Sequence, residues 1–117
     1  MVGVETLSLN GSNIPFIDQI VDIIVSLAEP EKIILFGSYA RGDATEKSDI
    51  DLLVLKKNLE NERDLSNLIE HGFFEHRIGI STDTIAMDYD RYYGLTDVIG
   101  YVYKAIDREG KIIYERF

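Results

Sequence analysis

The chain contains no cysteine. Disulfides, thiolate zinc sites and a cysteine nucleophile are therefore excluded, and a reducing compartment fits. Basic residues are scarce: 12 Lys and Arg stand against 21 Asp and Glu, a formal net charge of −9. A general DNA or RNA coat needs a basic face to displace counterions, so stable nucleic-acid binding is not expected. A small anionic substrate carried in on a metal ion is compatible with that balance. Long apolar runs are missing as well. The longest, Ile14 to Ala28, is interrupted by Asp18, Gln19, Asp22 and Ser26, and is too short and too polar to span a bilayer. Met1-Val2-Gly3-Val4-Glu5 lacks the basic region of a secretory signal. A soluble cytoplasmic protein is the expectation. No Pro/Gly/Ser linker and no repeat divides the 117 residues, which suffice for one domain.

What is present is a series of short apolar segments. Residues 1–12 carry no clear pattern and are set apart as an N-terminal segment, expected to be partly disordered; 13–117 are read as a single domain. Asn13 offers an N-cap and Pro15 a first-turn proline. Ile17, Ile20, Val21, Ile24 and Leu27 then fall on one helical face, and Glu29-Pro30 ends the helix. Lys32 to Phe36 reads as a buried strand ending at Gly37. A polar loop follows, with room for a helical turn. Asp49 to Leu55 is a second buried strand with an acidic start. Glu62 to Phe74 places Leu65, Leu68, Ile69 and Phe73 on a helical face, its acidic start favoured by the helix dipole. Ser81 to Met87 is a β-branched third strand, Asp97 to Arg108 a last helix with Gly110 as its C-cap, and Lys111 to Tyr114 a final strand. The fold class is α/β or α+β.

The chemistry gathers in Gly37-Ser38-Tyr39-Ala40-Arg41-Gly42 and Ser48-Asp49-Ile50-Asp51. Asp49 and Asp51 are two apart on a strand, so they point to one side, about 6–7 Å apart at the backbone. Two such charges repel unless a cation sits with them. Oxygen-only ligands with no Cys or His pair nearby favour magnesium or manganese over zinc. Gly37 lets backbone approach a ligand, and the Ser38 hydroxyl and following amides suit phosphate oxygens. A helix starting at 38 would add a favourable partial charge. No Gly-Lys-Ser/Thr follows, so this is not a Walker A loop. Alone, a Gly-Ser turn, an Asp-x-Asp pair or an arginine is usually structural. Together, between two buried strands, they point to metal-assisted transfer at a triphosphate.

Gly37-Ser38, ten residues, then Asp49-x-Asp51 resembles the signature of the DNA polymerase beta-like nucleotidyltransferase superfamily. The fuller run from Gly37 to Val54 resembles its minimal nucleotidyltransferase branch, the MntA-type antitoxins paired with HEPN toxins. The close match covers Ile33 to Leu55. The resemblance implies a mixed sheet of about four strands flanked by helices. It implies a third carboxylate on the next strand, best matched by Asp83, with Asp88 as the fallback. It implies an enzyme that moves AMP from ATP to a hydroxyl and releases pyrophosphate, the acceptor being a tyrosine of a HEPN ribonuclease. Asp49 and Asp51 would hold Mg2+, or Mn2+; Asp83 would complete the acceptor-side metal site and help deprotonate the hydroxyl. Gly37 and Ser38 would hold the β- and γ-phosphates. Arg41 would add positive charge there, or simply pack.

Other features carry less. His71 and His76 are five apart, do not share a helical face, and are read as a helix end and loop. Tyr89, Tyr92, Tyr93, Tyr101 and Tyr103 form a tyrosine-rich stretch, read as core plus amphipathic surface, or as a partner-binding face. The competing function is a non-catalytic antitoxin that neutralises by contact; transfer to a small molecule or RNA end ranks third. Homo- or hetero-oligomers stay open.

Overall fold

Residues 14–95 and 106–116 are described by a computed structural model. The expected segment 1–12 and the Asn13 cap lie outside them. The first amphipathic stretch forms helix α1, Ile17–Ala28, entered through Phe16 in the left-handed region at φ 62°. Ile20, Val21 and Ile24 are fully buried, each such side chain contributing about 1.5–3 kcal/mol. Leu27, expected on the same face, is instead 40% exposed, and Ile23 and Ala28 are buried in its place. Leu27 flanks the buried face and lies against Gly72 of the third helix, where a Cβ would meet its Cδ1 at 2.6 Å. The helix ends where expected: Glu29 turns left-handed and its N–H bonds Val25 O.

Strand β1, Lys32–Phe36, comes next. It is followed by the single turn α2, Ser38–Arg41, then β2, Ile50–Lys56. Helix α3, Glu62–Glu75, leads to β3, Thr82–Asp88. Helix α4, Tyr89–Leu95, and strand β4, Lys111–Glu115, complete the regular elements. The sheet order is β3-β2-β1-β4. β1 is antiparallel to β2 and to β4, whereas β2 and β3 are parallel. This is the expected mixed, four-stranded sheet flanked by helices. The expected last helix is helical at 106–109; the remainder lies outside the described residues, as do Tyr101 and Tyr103.

The parallel β2–β3 pair needs a crossover, and α3 supplies it. Asn61 caps its start by accepting from Asp64 N at 3.0 Å. Of the expected apolar face, Ile69 and Phe73 are buried, but Leu68 is 45% exposed. Helix α3 also faces the outer edge of β3. Ser66 Oγ accepts from Ala86 N at 2.8 Å, and Glu62 accepts from Asp88 N at 3.0 Å. Thr82 Oγ1 donates to the Glu70 carboxylate at 2.9 Å. Polar side chains thus serve an edge that would otherwise expose unpaired strand groups.

Alternation along the paired strands separates two faces. Ile33, Leu35, Ile50, Leu52, Val54 and Ala86 join α1 and α3 in the larger core. On the other face Ile34, Leu53, Leu55 and Met87 pack with Tyr92 and Ile106. Among the described residues, no helix is long and apolar enough to cross a membrane.

Candidate active site

The second core does not reach the whole of its face. Toward the end of β1 and the starts of β2 and β3, its positions are Phe36, Asp51 and Asp83. Phe36 pairs with Asp51, and Asp51 with Asp83. Side chains at paired positions stand on the same side of the sheet. Asp49, two residues before Asp51 and just outside the strand, shares that side. Ile50 and Leu52, which flank Asp51, are fully buried on the opposite face, so Asp51 is fixed in the strand by packing and pairing.

Gly37 explains the glycine in the motif. Its φ of 75° and ψ of −157° are open to glycine and strained for other residues. A Cβ there would fall on the Asp51 carboxylate oxygen Oδ2. The turn and the carboxylate are therefore in direct apposition, a juxtaposition the motif spacing alone does not reveal. Ala40 N and Arg41 N both bond Gly37 O at 3.1 Å, folding α2 back over the turn. The helix anticipated at this position is only four residues long. A long-helix dipole is absent, and the available donors are the opening N–H groups of one turn and the Ser38 hydroxyl. Beyond Gly42, Ser48 Oγ accepts from Thr45 N at 2.8 Å and tightens the loop before Asp49.

The electrostatics follow from this crowding. The Asp51 carboxyl is pushed above its ordinary value of 3.8, first by burial, then by the charges of Asp83 and Asp49, with Arg41 opposing. Asp49 and Asp83 are exposed and Asp51 half-buried. Among the described residues, no group of three or more His, Cys, Asp or Glu is gathered so as to hold a metal ion by itself. The donor set nevertheless fits a hard divalent ion. Magnesium is commonly bound through one or two carboxylates, its waters and substrate phosphates rather than a dedicated protein cage. A carboxylate disfavoured by its own neighbours is what such an ion would relieve.

Arg41 lies at the rim of this cluster. Its Nε donates to Asp43 Oδ2 at 3.3 Å, and its Nη1 is 3.5 Å from Glu109 Oε2. Asp43 lies two residues on in the motif run, whereas Glu109 comes from the far end of the chain and carries no local signal. The fallback carboxylate, Asp88, is not brought to the cluster. It ends β3, five residues beyond Asp83, or about 16 Å along the strand. Asp88 accepts from Leu59 N and Arg91 N, both at 3.0 Å. Those backbone donors, that of Arg91 foremost, hold it below the usual carboxylate range. It caps α4 and braces a loop.

The residues set aside as structural stay apart from the cluster. His71 pairs with Glu75 one turn along α3, and His76 ends that helix. His76 also borders a groove of about 410 Å3 with Asp22, Ile23 and Leu27, on helices that cover the sheet face opposite the one bearing Asp51. In α4, Tyr92 is fully buried and stacks edge-on to Tyr93 at 5.0 Å. Tyr93 accepts a 2.7 Å bond from Lys32 Nζ. Tyr92 packs the far end of the same sheet face, while Tyr93 is 37% exposed, so α4 contributes both core and amphipathic surface.

Comparison with known proteins bears directly on this geometry. The family model "Nucleotidyltransferase domain" matches residues 17–106. A relative from Methanocaldococcus jannaschii, named "Putative protein adenylyltransferase MJ1305", is 48% identical over 59 residues, 48% of this chain. The matched stretch spans only 40% of that relative's length. A crystal structure of a "putative nucleotidyltransferase" from Sulfolobus solfataricus superposes with TM-score 0.56 at 26% identity, over 84% of this chain and 76% of that one. A toxin–antitoxin crystal structure with AMP-PNP shares the fold, with TM-score 0.57 at 20% identity, over 84% of this chain and 72% of that one. With an acidic strand-end cluster set against a Gly-Ser turn, and a family match running from α1 to Ile106, the chain belongs to the nucleotidyltransferase domain family.

Proposed function

We propose that this chain is a metal-dependent adenylyltransferase that moves AMP from ATP to a tyrosine hydroxyl of a HEPN-type toxin, silencing it. The observation that carries the reading is the apposition of the Gly37 turn to Asp51, with Asp83 in register beside it. A phosphate-binding turn and a carboxylate pair are useful together only if one ligand spans both. The name of the Methanocaldococcus relative supports protein as the acceptor. The toxin–antitoxin structure with AMP-PNP supports, at the level of fold, a nucleotide and a toxin partner.

In this reading Asp49 and Asp51 hold magnesium, or manganese. The bound ion supplies neutralisation of charge on the triphosphate. The Gly37 turn and the Ser38 hydroxyl hold the β- and γ-phosphates, and Arg41 adds positive charge at their end. Asp83 accepts the proton of the acceptor hydroxyl. The hydroxyl oxygen then bonds to the α-phosphorus, the bond from that phosphorus to the bridging oxygen breaks, and pyrophosphate leaves. Holding the reacting groups in one geometry is the main contribution of so small a site.

Calorimetry with AMP-PNP tests the reading. Binding is expected in magnesium and is expected to be lost in EDTA, because the acidic cluster repels a bare triphosphate. Equal affinity in both would overturn the metal-dependent site.

A further inference from the structure

We infer that Glu109 is a positioning residue: it holds the Arg41 guanidinium at the rim of the acidic cluster, in place to receive a triphosphate. The inference rests on the proposed nucleotide site and concerns how one of its groups is aimed.

Arg41 closes α2, a single turn followed by Gly42 in the left-handed region at φ 85° and an exposed polar loop. Its first partner, Asp43, belongs to that same loop. Glu109 does not. It belongs to the helical turn at 106–109, and that turn is anchored to the sheet. Ile106 is 3% exposed, packed among Ile34, Leu53 and Met87. Gly110 N bonds Ile106 O at 2.7 Å, and a Cβ on Gly110 would meet Ile34 Cγ2 at 2.6 Å. A side chain at position 110 would not fit against Ile34, so the Gly110 backbone rests directly on that β1 side chain. Glu109 therefore ties the last residue of α2 to β1, the strand that leads into Gly37.

The remaining geometry of the guanidinium gives this tie a use. Nε faces Asp43 and Nη1 faces Glu109. The Nη2 donors are left for a further acceptor, in a planar fork suited to phosphate oxygens. Arg41 closes the single turn that Gly37 opens, and Gly37 lies against the Asp51 carboxylate. Both ion pairs are solvent-exposed and weak, so they orient the group without withholding it from a strongly charged ligand.

A carboxylate beside a triphosphate site also repels the ligand, and this separates position from charge. The test is calorimetry of AMP-PNP with magnesium, on wild type, Glu109→Ala, Glu109→Gln, Arg41→Ala and the Arg41→Ala/Glu109→Ala double variant, with melting temperatures alongside. Glu109→Ala should weaken binding by about three- to tenfold, the scale of one well-placed charged hydrogen bond. Glu109→Gln, whose carbonyl still accepts from Nη1, should bind at least as tightly as wild type. In the Arg41→Ala background, loss of Glu109 should add nothing. Tighter binding by Glu109→Ala and Glu109→Gln alike would reduce Glu109 to a repelling charge and overturn the inference. So would an equal loss with and without Arg41, which marks a scaffold role, or no effect of either Glu109 variant. A wild-type protein that binds no magnesium nucleotide would instead bring down the proposed function, and this inference with it.

Discussion

Replacing Gly37 by alanine addresses fold and site at once. The backbone there has φ 75° and ψ −157°, a region used almost only by glycine. Holding alanine in it costs about 1–3 kcal/mol. The new Cβ would also lie 3.0 Å from Asp51 Cγ and on top of Oδ2. A terminal carboxylate can rotate away, so the clash adds less to stability than to function: Asp51 leaves its place. For a domain of this size, each kcal/mol corresponds to roughly 4 °C in melting temperature, so a fall of about 4–12 °C is expected. Adding Asp51→Ala should remove the clash but not the backbone strain, so the double variant should be destabilised less than the sum of the singles. Thermal melts of the four proteins, with AMP-PNP calorimetry, measure both effects. A Gly37→Ala protein that melts with wild type and binds nucleotide normally would refute the reasoning.

Asp51→Asn should melt at or above wild type at pH 7 without ligand. The Asp51 pKa is raised above 3.8, so its contribution to stability is present below the unfolded value and lost as pH rises through the folded one. The advantage of the variant should vanish in acid, and a clear loss of stability at pH 7 would mark Asp51 as structural. Asp88→Ala has the opposite sign. Its pKa is lowered, so its contribution is present at neutral pH and lost as pH falls through the folded value, and the deficit of the variant in a pH series of melts should shrink in acid. Gly72→Ala should shift stability by less than about 1 kcal/mol, because the Leu27 Cδ1 that its Cβ would meet at 2.6 Å ends a flexible, 40% exposed side chain that can turn aside, and the gain in helix propensity offsets the cost. Denaturant melts report it, and a loss well beyond that would mean that Leu27 is held in place.

Much of this architecture is legible in the order of residues. β1 and β2 are continuous apolar runs ended by Gly37 and by Lys56-Lys57, and strands buried on both faces leave that trace. Asp49-x-Asp51 declares itself because two carboxylates at the start of such a run oppose folding. Helical spacing fixes a face but not its neighbour, which is why Leu27 and Leu68, assigned to buried faces, are partly exposed. Helix α4 escapes notice because Tyr89 to Leu95 is too short to show a period, and its start depends on a cap from Asp88. Asp83 is recognisable as an acid in a β-branched strand, yet only the register with β2 sets it beside Asp51. The approach of Glu109 to Arg41 and of Gly37 to Asp51 are tertiary events with no local signature.

The central claim is covalent transfer by the acidic cluster, and the intact mass of a co-expressed HEPN-type partner tests it most directly. Made with the wild-type chain, ATP and magnesium, the partner should carry AMP on tyrosine and stay inactive after this protein is removed. Made with the Asp49→Ala/Asp51→Ala double variant, it should carry no adduct and remain active, even where the two proteins still bind. A partner fully neutralised by the double variant, with unchanged mass, would contradict the account and identify a protein that acts by contact.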